Sequence, residues 1–190
     1  MLRYALKAVT LCCALLGCGG VSAAMAGTWE TTYLPYVRPA PAHARSYYIE
    51  FRGRSEIAGF GHAFITLGDI DAAGRSQQTA VFGFVPQGDF DQFLSPTALP
   101  VQGSISVSLS DFTPHPDVRF RVPISRAQYD RIVGMIGEYR ATWTVYELLL
   151  HNCNNFVAEV AGSLGLKLPP TTIELPVDYV ADLKSANAAH

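Results

Sequence analysis

A cysteine and a histidine 91 positions before it have the residue types and settings that nucleophilic catalysis requires. Cys153 follows Tyr146-Glu-Leu-Leu-Leu-His-Asn152 and directly precedes a segment with helical periodicity. With Asn152 as the N-cap, Cys153 would lie in the first turn, where free backbone N–H groups and the helix dipole favour a negative sulfur. We therefore expect Cys153 to be a pre-activated nucleophile rather than a core residue.

His62 is the histidine best placed to act as the base for such a thiol. It begins a predicted strand after Gly59 and Gly61, where glycine lets a substrate approach the backbone and a strand holds the imidazole rigidly. The alternative is a structural histidine that hydrogen-bonds at a strand end. The other histidines lie near the helix cap, in loops or at the chain end: His151, His43, His115 and His190. His151 could still support the site.

Residues 1–26 resemble an export signal, with two basic residues ahead of an apolar run, 8–16, too short to span a bilayer. Two processing routes fit this leader. Cleavage after Ala26, in Ala24-Met-Ala26, would release a soluble protein, whereas a lipoprotein-type box would leave Cys18 acylated at a membrane. Both routes predict a location in the periplasm or cell envelope, with membrane contact only through lipidation at Cys18.

Removal of the leader would leave 164 of the 190 residues, enough for one domain with a full core. We expect an irregular arm over 27–45, a single domain over 46–184 and a disordered tail over 185–190. The leader contains the other three cysteines, so the body would have one thiol and no internal disulfide. The body is acidic and has no basic stripe, which excludes a nucleic-acid partner.

The sequence contains no motif for a cofactor or metal. A zinc site at His151 and Cys153 would need further ligands nearby. Asp69 and Asp71 are typical of a turn, and the pair Asp89 and Asp91 is more typical of a solvated loop than of a cation site. A nucleophile elbow and a phosphate-binding loop are both missing.

The chain is predicted to fold as an α+β domain with an antiparallel sheet of about five strands followed by helices. Short segments rich in β-branched and aromatic residues predict the strands: 47–53, 62–67, 79–85, 104–109 and 118–124. Most connections are too short for a crossover helix, which favours antiparallel pairing. Segments 104–109 and 118–122 alternate strictly, as expected for strands with one buried face.

Three helices are predicted after the strands. Ser125 and Gln128 form a capping box ahead of a helix over about 126–140. A second helix should begin at Asn152 or Cys153 and stop at Gly165. A third, over about 176–184, has proline in its first turn.

Two motifs and the order of the elements resemble the circularly permuted papain-like fold, a group that includes lecithin:retinol acyltransferase and relatives of the NlpC-type cell-wall peptidases. The motifs are His62-Ala-Phe-Ile-Thr-Leu-Gly68 and Asn152-Cys-Asn-Asn-Phe-Val157. The resemblance spans roughly residues 47–168 and implies Cys153 as nucleophile and His62 as general base and acid, with an acyl-enzyme intermediate.

One position departs from that family. The family places a polar residue that orients the histidine on the next strand, and Gly83 aligns there. A backbone carbonyl or Gln87 could substitute, or catalysis is weakened or lost, so the third role stays unassigned.

Three functions follow from these residues. The first is a hydrolase that cleaves a peptide or other envelope amide or ester. The second is a lipid acyltransferase or thioesterase that uses the same acyl-enzyme. The third is a binding module that keeps the fold without the chemistry, for which Gly83 is the main support.

Overall fold

A computed structural model describes residues 46–55, 60–88, 97–106 and 116–188. Within these ranges the chain forms one six-stranded antiparallel sheet and three helices. The strands are β1 (Ser46–Arg54), β2 (His62–Ile70), β3 (Ser76–Pro86), β4 (Val101–Ser106), β5 (Val118–Ile124) and β6 (Val145–Tyr146). The helices are α1 (Arg126–Thr142), α2 (Cys153–Ser163) and α3 (Pro176–Ala186).

The predicted α+β class and antiparallel pairing are confirmed, with the strand order β5-β1-β2-β3-β4-β6. β4 begins at Val101, three residues before the predicted start, and residues 107–109 lie outside the described ranges. β6 was not predicted because a two-residue strand carries no periodic pattern. The leader and the arm, residues 1–45, also lie outside the described ranges.

The helices cover one face of the sheet. The main core joins apolar side chains that alternate along β1, β2 and β3 with the apolar faces of the helices. Its members include Ile49, Phe51, Ala63, Ile65, Phe82, Phe84, Ile132, Phe156, Val160 and Leu183. The alternation predicted for β5 is confirmed, since Arg119 and Arg121 are exposed between partly buried apolar residues.

The opposite face of the sheet has a different character. Phe64 and Val81 form a separate small cluster there. Buried Glu50 accepts hydrogen bonds from Arg52 at 2.6 Å and from Arg121 at 2.8 Å. Although burial acts in the opposite direction, these guanidinium groups hold the pKa of Glu50 below its ordinary value. The two faces are therefore chemically distinct, and successive side chains along β2 alternate between the helix-covered core and the opposite face.

The helix ends follow their sequence signals. Ser125 and Gln128 form the expected capping box of α1, and Gly165 takes a φ of 77° after α2. The expected disorder from Ser185 is wrong for Ser185–Asn187, because α3 continues to Ala186. Asn187 is buried and donates to Lys167 O at 2.8 Å. In the described ranges, no helix has both the length and the hydropathy to cross a membrane.

Backbone packing between β1 and α3 requires glycine at position 53. A Cβ there would lie 2.9 Å from Pro176 O and 2.9 Å from Val177 Cα. We predict that Gly53→Ala lowers the free energy of unfolding by about 1–3 kcal/mol, because backbone rather than a flexible side chain must move. Gly134→Ala, at an open helical position, should instead raise it by about 0.5–1 kcal/mol. Urea unfolding measures both, and equal effects would contradict the packing argument.

Candidate active site

Cys153 is the first residue of α2, as predicted, and Asn152 is its N-cap. Asn152 Oδ1 accepts the backbone N–H groups of Asn154 at 2.8 Å and Asn155 at 3.2 Å. Its Nδ2 donates to Leu148 O at 2.6 Å, which ties the preceding turn to the helix. The Asn152 backbone N–H in turn donates to Asn155 Oδ1 at 2.9 Å, completing a capping box. The position of Cys153 is therefore fixed by hydrogen bonds on both sides of the helix start.

The sulfur of Cys153 meets several hydrogen-bond donors. The backbone N–H of Ala63 on β2, the Tyr146 hydroxyl and the N–H groups of Cys153 and Asn154 all act on the sulfur and favour its charged form. Each donor lowers the free energy of a thiolate relative to that of the thiol. The arrangement matches the anion-stabilising helix start expected from the sequence.

The expected pre-activation is nevertheless wrong for this structure. Burial raises the pKa of the Cys153 thiol above its ordinary value and outweighs the donors. The helix start and its dipole favour a thiolate, but the loss of water around the sulfur, which local sequence does not reveal, favours the neutral thiol. Burial, and then the neighbouring sulfur, also raise the pKa of Tyr146. The resting site therefore holds a neutral thiol beside a neutral hydroxyl.

His62 begins β2 as predicted, and its side chain is buried. Its ring stacks on Phe64, with 5.7 Å between centroids and 11° between planes. Phe64 lies on the face of the sheet opposite the helices, whereas Ala63 belongs to the core that contains Cys153. The structure therefore brings the sulfur to the residue directly after His62, while the imidazole lies against Phe64.

Gly83 on β3 faces the His62 ring, where the sequence alignment placed the missing third residue. A Cβ at this position would overlap Nε2 of His62 and lie 3.0 Å from Cε1. The imidazole thus occupies the space that an orienting side chain would fill. Gln87 follows β3, where its backbone N–H donates to Gln102 O at 2.7 Å. Glycine at position 83 is required for the observed position of the imidazole.

A cavity of about 250 Å³ opens beside Cys153. Four exposed apolar side chains are among the residues that line it: Phe60, Leu149, Ile173 and Leu175. Asn154 and Glu174 contribute polar groups to its wall. A second cavity, of about 300 Å³, also borders on Leu149 and Ile173. The sulfur therefore adjoins a largely apolar surface that extends beyond the first cavity.

The other candidates from the sequence have structural explanations where they are described. His151 Nδ1 lies 2.5 Å from Val145 O, and its ring packs on Trp143 at 4.3 Å, so it supports the turn before α2. Asp71 accepts backbone N–H groups in a turn, as expected. No group of three metal-ligating side chains occurs within the described ranges. His43, His115, His190, Asp89 and Asp91 lie outside those ranges.

Tyr146 contributes a side-chain donor at the sulfur, and the sequence assigned no role to it. It precedes Cys153 by seven residues, and the pairing of β6 with β4 places it there. The Glu147–His151 bridge then returns the chain to the helix start. The sequence shows a tyrosine shortly before the Asn-Cys motif, which could have suggested a role at the thiol. Whether the tyrosine side chain points to the sulfur depends on this turn.

Comparison with known proteins gave no match to a family model, a curated protein or a solved structure.

We predict that alkylation of Cys153 by iodoacetamide follows an apparent pKa above about 8.5, the value for a free thiol. Tyr146→Phe should raise it further, because loss of a hydroxyl donor disfavours the charged sulfur. Tyr139→Phe is the control, since that hydroxyl contacts Glu159 instead. Mass spectrometry of the Cys153 peptide separates this thiol from the leader cysteines. A pKa below 8.5 in the unmodified chain would contradict the dominance of burial.

We also predict that Gly83→Ala displaces the His62 imidazole while the protein stays folded, because the first atoms met by the new methyl group belong to a movable ring. The expected loss of unfolding free energy is about 1–3 kcal/mol. NMR signals of the His62 ring should shift, whereas Gly137→Ala, at an open position, should leave them unchanged. Unshifted His62 signals in Gly83→Ala would show that the ring does not occupy this space.

Proposed function

We propose that this chain is an exported thiol hydrolase of the permuted papain-like fold that cleaves an amide or ester through a Cys153 acyl-enzyme. The contact between Cys153 Sγ and the Ala63 backbone N–H carries this proposal. It joins the start of the helix to the start of the histidine strand, although 90 residues separate them in the sequence. A nucleophile and a base need this kind of proximity before any chemistry can occur.

In the proposed reaction, His62 first takes the thiol proton. The observed imidazole lies against Phe64 and Gly83, on the face of the sheet opposite Cys153, so this step requires the start of β2 to rearrange and turn His62 towards the sulfur. Position 83, where the family has a polar side chain, is glycine in this chain and gives the ring no side-chain hydrogen bond. In this proposal, His62 contacts the thiol only after substrate has filled the cavity, and the resting structure is the state before that contact.

The thiolate then attacks the substrate carbonyl and forms a tetrahedral intermediate. The Cys153 backbone N–H and the Tyr146 hydroxyl, which both act on the sulfur, would then stabilise the developing oxyanion. Protonated His62 gives its proton to the leaving amine or alcohol, and a thioester remains on Cys153. Water, deprotonated by His62, attacks the thioester, releasing the acid and restoring the thiol.

The substrate class follows from the location and from the cavity. Export to the periplasm or cell envelope, expected from the leader, makes envelope peptides a suitable class for the hydrolase. The apolar rim of Phe60, Leu149, Ile173 and Leu175 favours substrates with an apolar acyl or side-chain portion. The same rim supports the second candidate, an acyltransferase or thioesterase acting on lipid, in which an alcohol or amine can replace water as acceptor.

The third candidate is a binding module without catalysis. The raised pKa of the Cys153 thiol and the position of the His62 ring favour it. In that case the cavity would still take an apolar ligand, but no covalent intermediate would form. Detection of an acyl-enzyme therefore separates this candidate from the other two.

The test uses hydrolysis of p-nitrophenyl hexanoate, a neutral activated ester, and mass spectrometry of the acylated chain. Cys153→Ser should abolish the adduct on residue 153, and His62→Ala should lower kcat/KM by about 10²–10⁴-fold. His151→Ala, which removes an imidazole on the other side of the cap, should change it by only a few-fold.

Hydrolysis that survives Cys153→Ser, or equal losses in the two histidine variants, would overturn the proposal. Adding 1-hexanol as a competing acceptor distinguishes the two enzymatic candidates. A hexyl ester product supports the acyltransferase, and release of hexanoic acid alone supports the hydrolase.

A further inference from the structure

Two of the residues that line the cavity beside Cys153 each carry a buried hydrogen-bond acceptor without a donor. Asn154 Oδ1 and Glu174 Oε2 are both buried and have no hydrogen-bond partner among the residues that the structure describes. Both residues line the cavity. A buried acceptor without a donor costs about 1–3 kcal/mol, so two such atoms in one cavity wall indicate that a donor binds there.

The orientation of the Asn154 amide is determined by its own hydrogen bonds. Its Nδ2 donates to Thr172 O at 3.0 Å and to Glu174 O at 2.9 Å. Carbonyl oxygens can only accept, so the amide cannot be reversed without losing both bonds. Oδ1 is therefore the remaining acceptor, on a side chain only 1% exposed. The loop before α3 thus fixes the Asn154 amide through Nδ2 and leaves Oδ1 without a hydrogen-bond donor among the described residues.

Glu174 adds negative charge to the wall of the same cavity. None of the ion pairs found within the described ranges includes Glu174. Burial, and then the carboxylates of Asp182 and Asp178, raise its pKa above the ordinary value. A nearby cation would reverse this effect, because it stabilises the ionised carboxyl group.

Tyr179, which lines the second cavity, is near enough to Glu174 to be affected by its charge. Its hydroxyl is fully buried and also has no hydrogen-bond partner among the described residues. Burial and then the charge of Glu174 raise the pKa of Tyr179 to about 12, so the hydroxyl stays neutral. A neutral hydroxyl can accept a hydrogen bond as well as donate one. At the cavity beside Cys153, the acceptors of Asn154 and Glu174 suit a ligand that brings several N–H donors.

We propose that Asn154 Oδ1 and the Glu174 carboxylate form a subsite for the primary ammonium group of a ligand whose remainder is apolar. An ammonium has three donors and no acceptor, which complements a wall that offers acceptors and negative charge. The apolar remainder would lie along Phe60, Leu149 and Ile173. A metal ion fits less well, since the described residues form no group of three suitable ligands here.

This subsite would select, for the reaction at Cys153, substrates that carry an amine near the scissile bond. That statement rests on the proposed function, whereas binding of an ammonium at Glu174 does not. The two are therefore separable by experiment. Binding is measured on Cys153→Ala, which cannot form an acyl-enzyme, and catalysis is measured separately with the neutral ester.

The probes are n-hexylamine and 1-hexanol, which share an apolar chain and differ in the charged head group. Titration calorimetry of the full chain carrying Cys153→Ala should give at least about tenfold tighter binding of hexylamine, as expected for a charge-assisted hydrogen bond. Adding Glu174→Gln should remove this preference while leaving hexanol binding unchanged. Glu138→Gln, the same change at an exposed position on α1, should preserve the preference.

Equal binding of the two probes, no binding of either, or a preference that survives Glu174→Gln would overturn the ammonium subsite. Retained hexanol binding shows that the Gln variant is folded. If that variant does not fold, Glu174→Asp should weaken hexylamine binding alone, because the charge is kept but its reach is shortened. Hydrolysis of p-nitrophenyl hexanoate by Glu174→Gln with Cys153 intact tests the catalytic proposal independently, since this ester has no amine.

Discussion

The N-terminus of α2 is held against the first residues of β2, and the candidate site depends on that contact. Pairing between β2 and β3 begins at Phe64 and Gly83. Ala63, one residue before that point, donates its N–H to the Cys153 sulfur. The Asn152 cap fixes the helix start from the other side. Loss of either restraint would separate the thiol from the histidine strand without unfolding the core.

The same contact imposes a conflict on the chemistry of the thiol. Docking the helix start on the sheet supplies donors that favour a thiolate, but it also removes water, which favours the neutral thiol. For Cys153 the second effect is larger. A substrate that brings charge or displaces the buried environment can change this balance, whereas the empty site cannot. If the proposed function holds, reactivity depends on occupation of the cavity, because the resting structure has a neutral thiol and keeps the His62 ring against Gly83.

The cavity combines two surfaces that recognise different parts of a ligand. Its exposed apolar rim would contribute buried apolar area to ligand binding, and such area discriminates poorly between apolar groups. The buried acceptors of Asn154 and Glu174 would contribute specificity, because only a hydrogen-bond donor satisfies them. Their position on α2 and on the loop before α3 links specificity to the helix start that carries Cys153. The proposed catalytic and binding groups therefore share one set of restraints.

Local pattern was sufficient for the secondary structure and for the setting of Cys153. Turn residues, apolar periodicity and caps act over a few residues, so they predicted five strands, three helices and the Asn152 cap. The family resemblance, rather than local pattern, pointed to Gly83, which pairs with Phe64 in the sheet and faces the His62 ring. The two-residue strand at Tyr146 and the continuation of α3 past Ser185 depend on distant partners and were missed.

Only the tertiary structure decided the electrostatics and the direction of the side chains. Burial of the Cys153 sulfur, the turn of the His62 ring towards Phe64 and the unsatisfied acceptors at Glu174 each involve segments far apart in the chain. Desolvation depends on everything that surrounds a group, and the sequence reveals only its neighbours along the chain. The sequence alone thus identified which residues could react, and their packing determined the protonation of the thiol and the position of the imidazole.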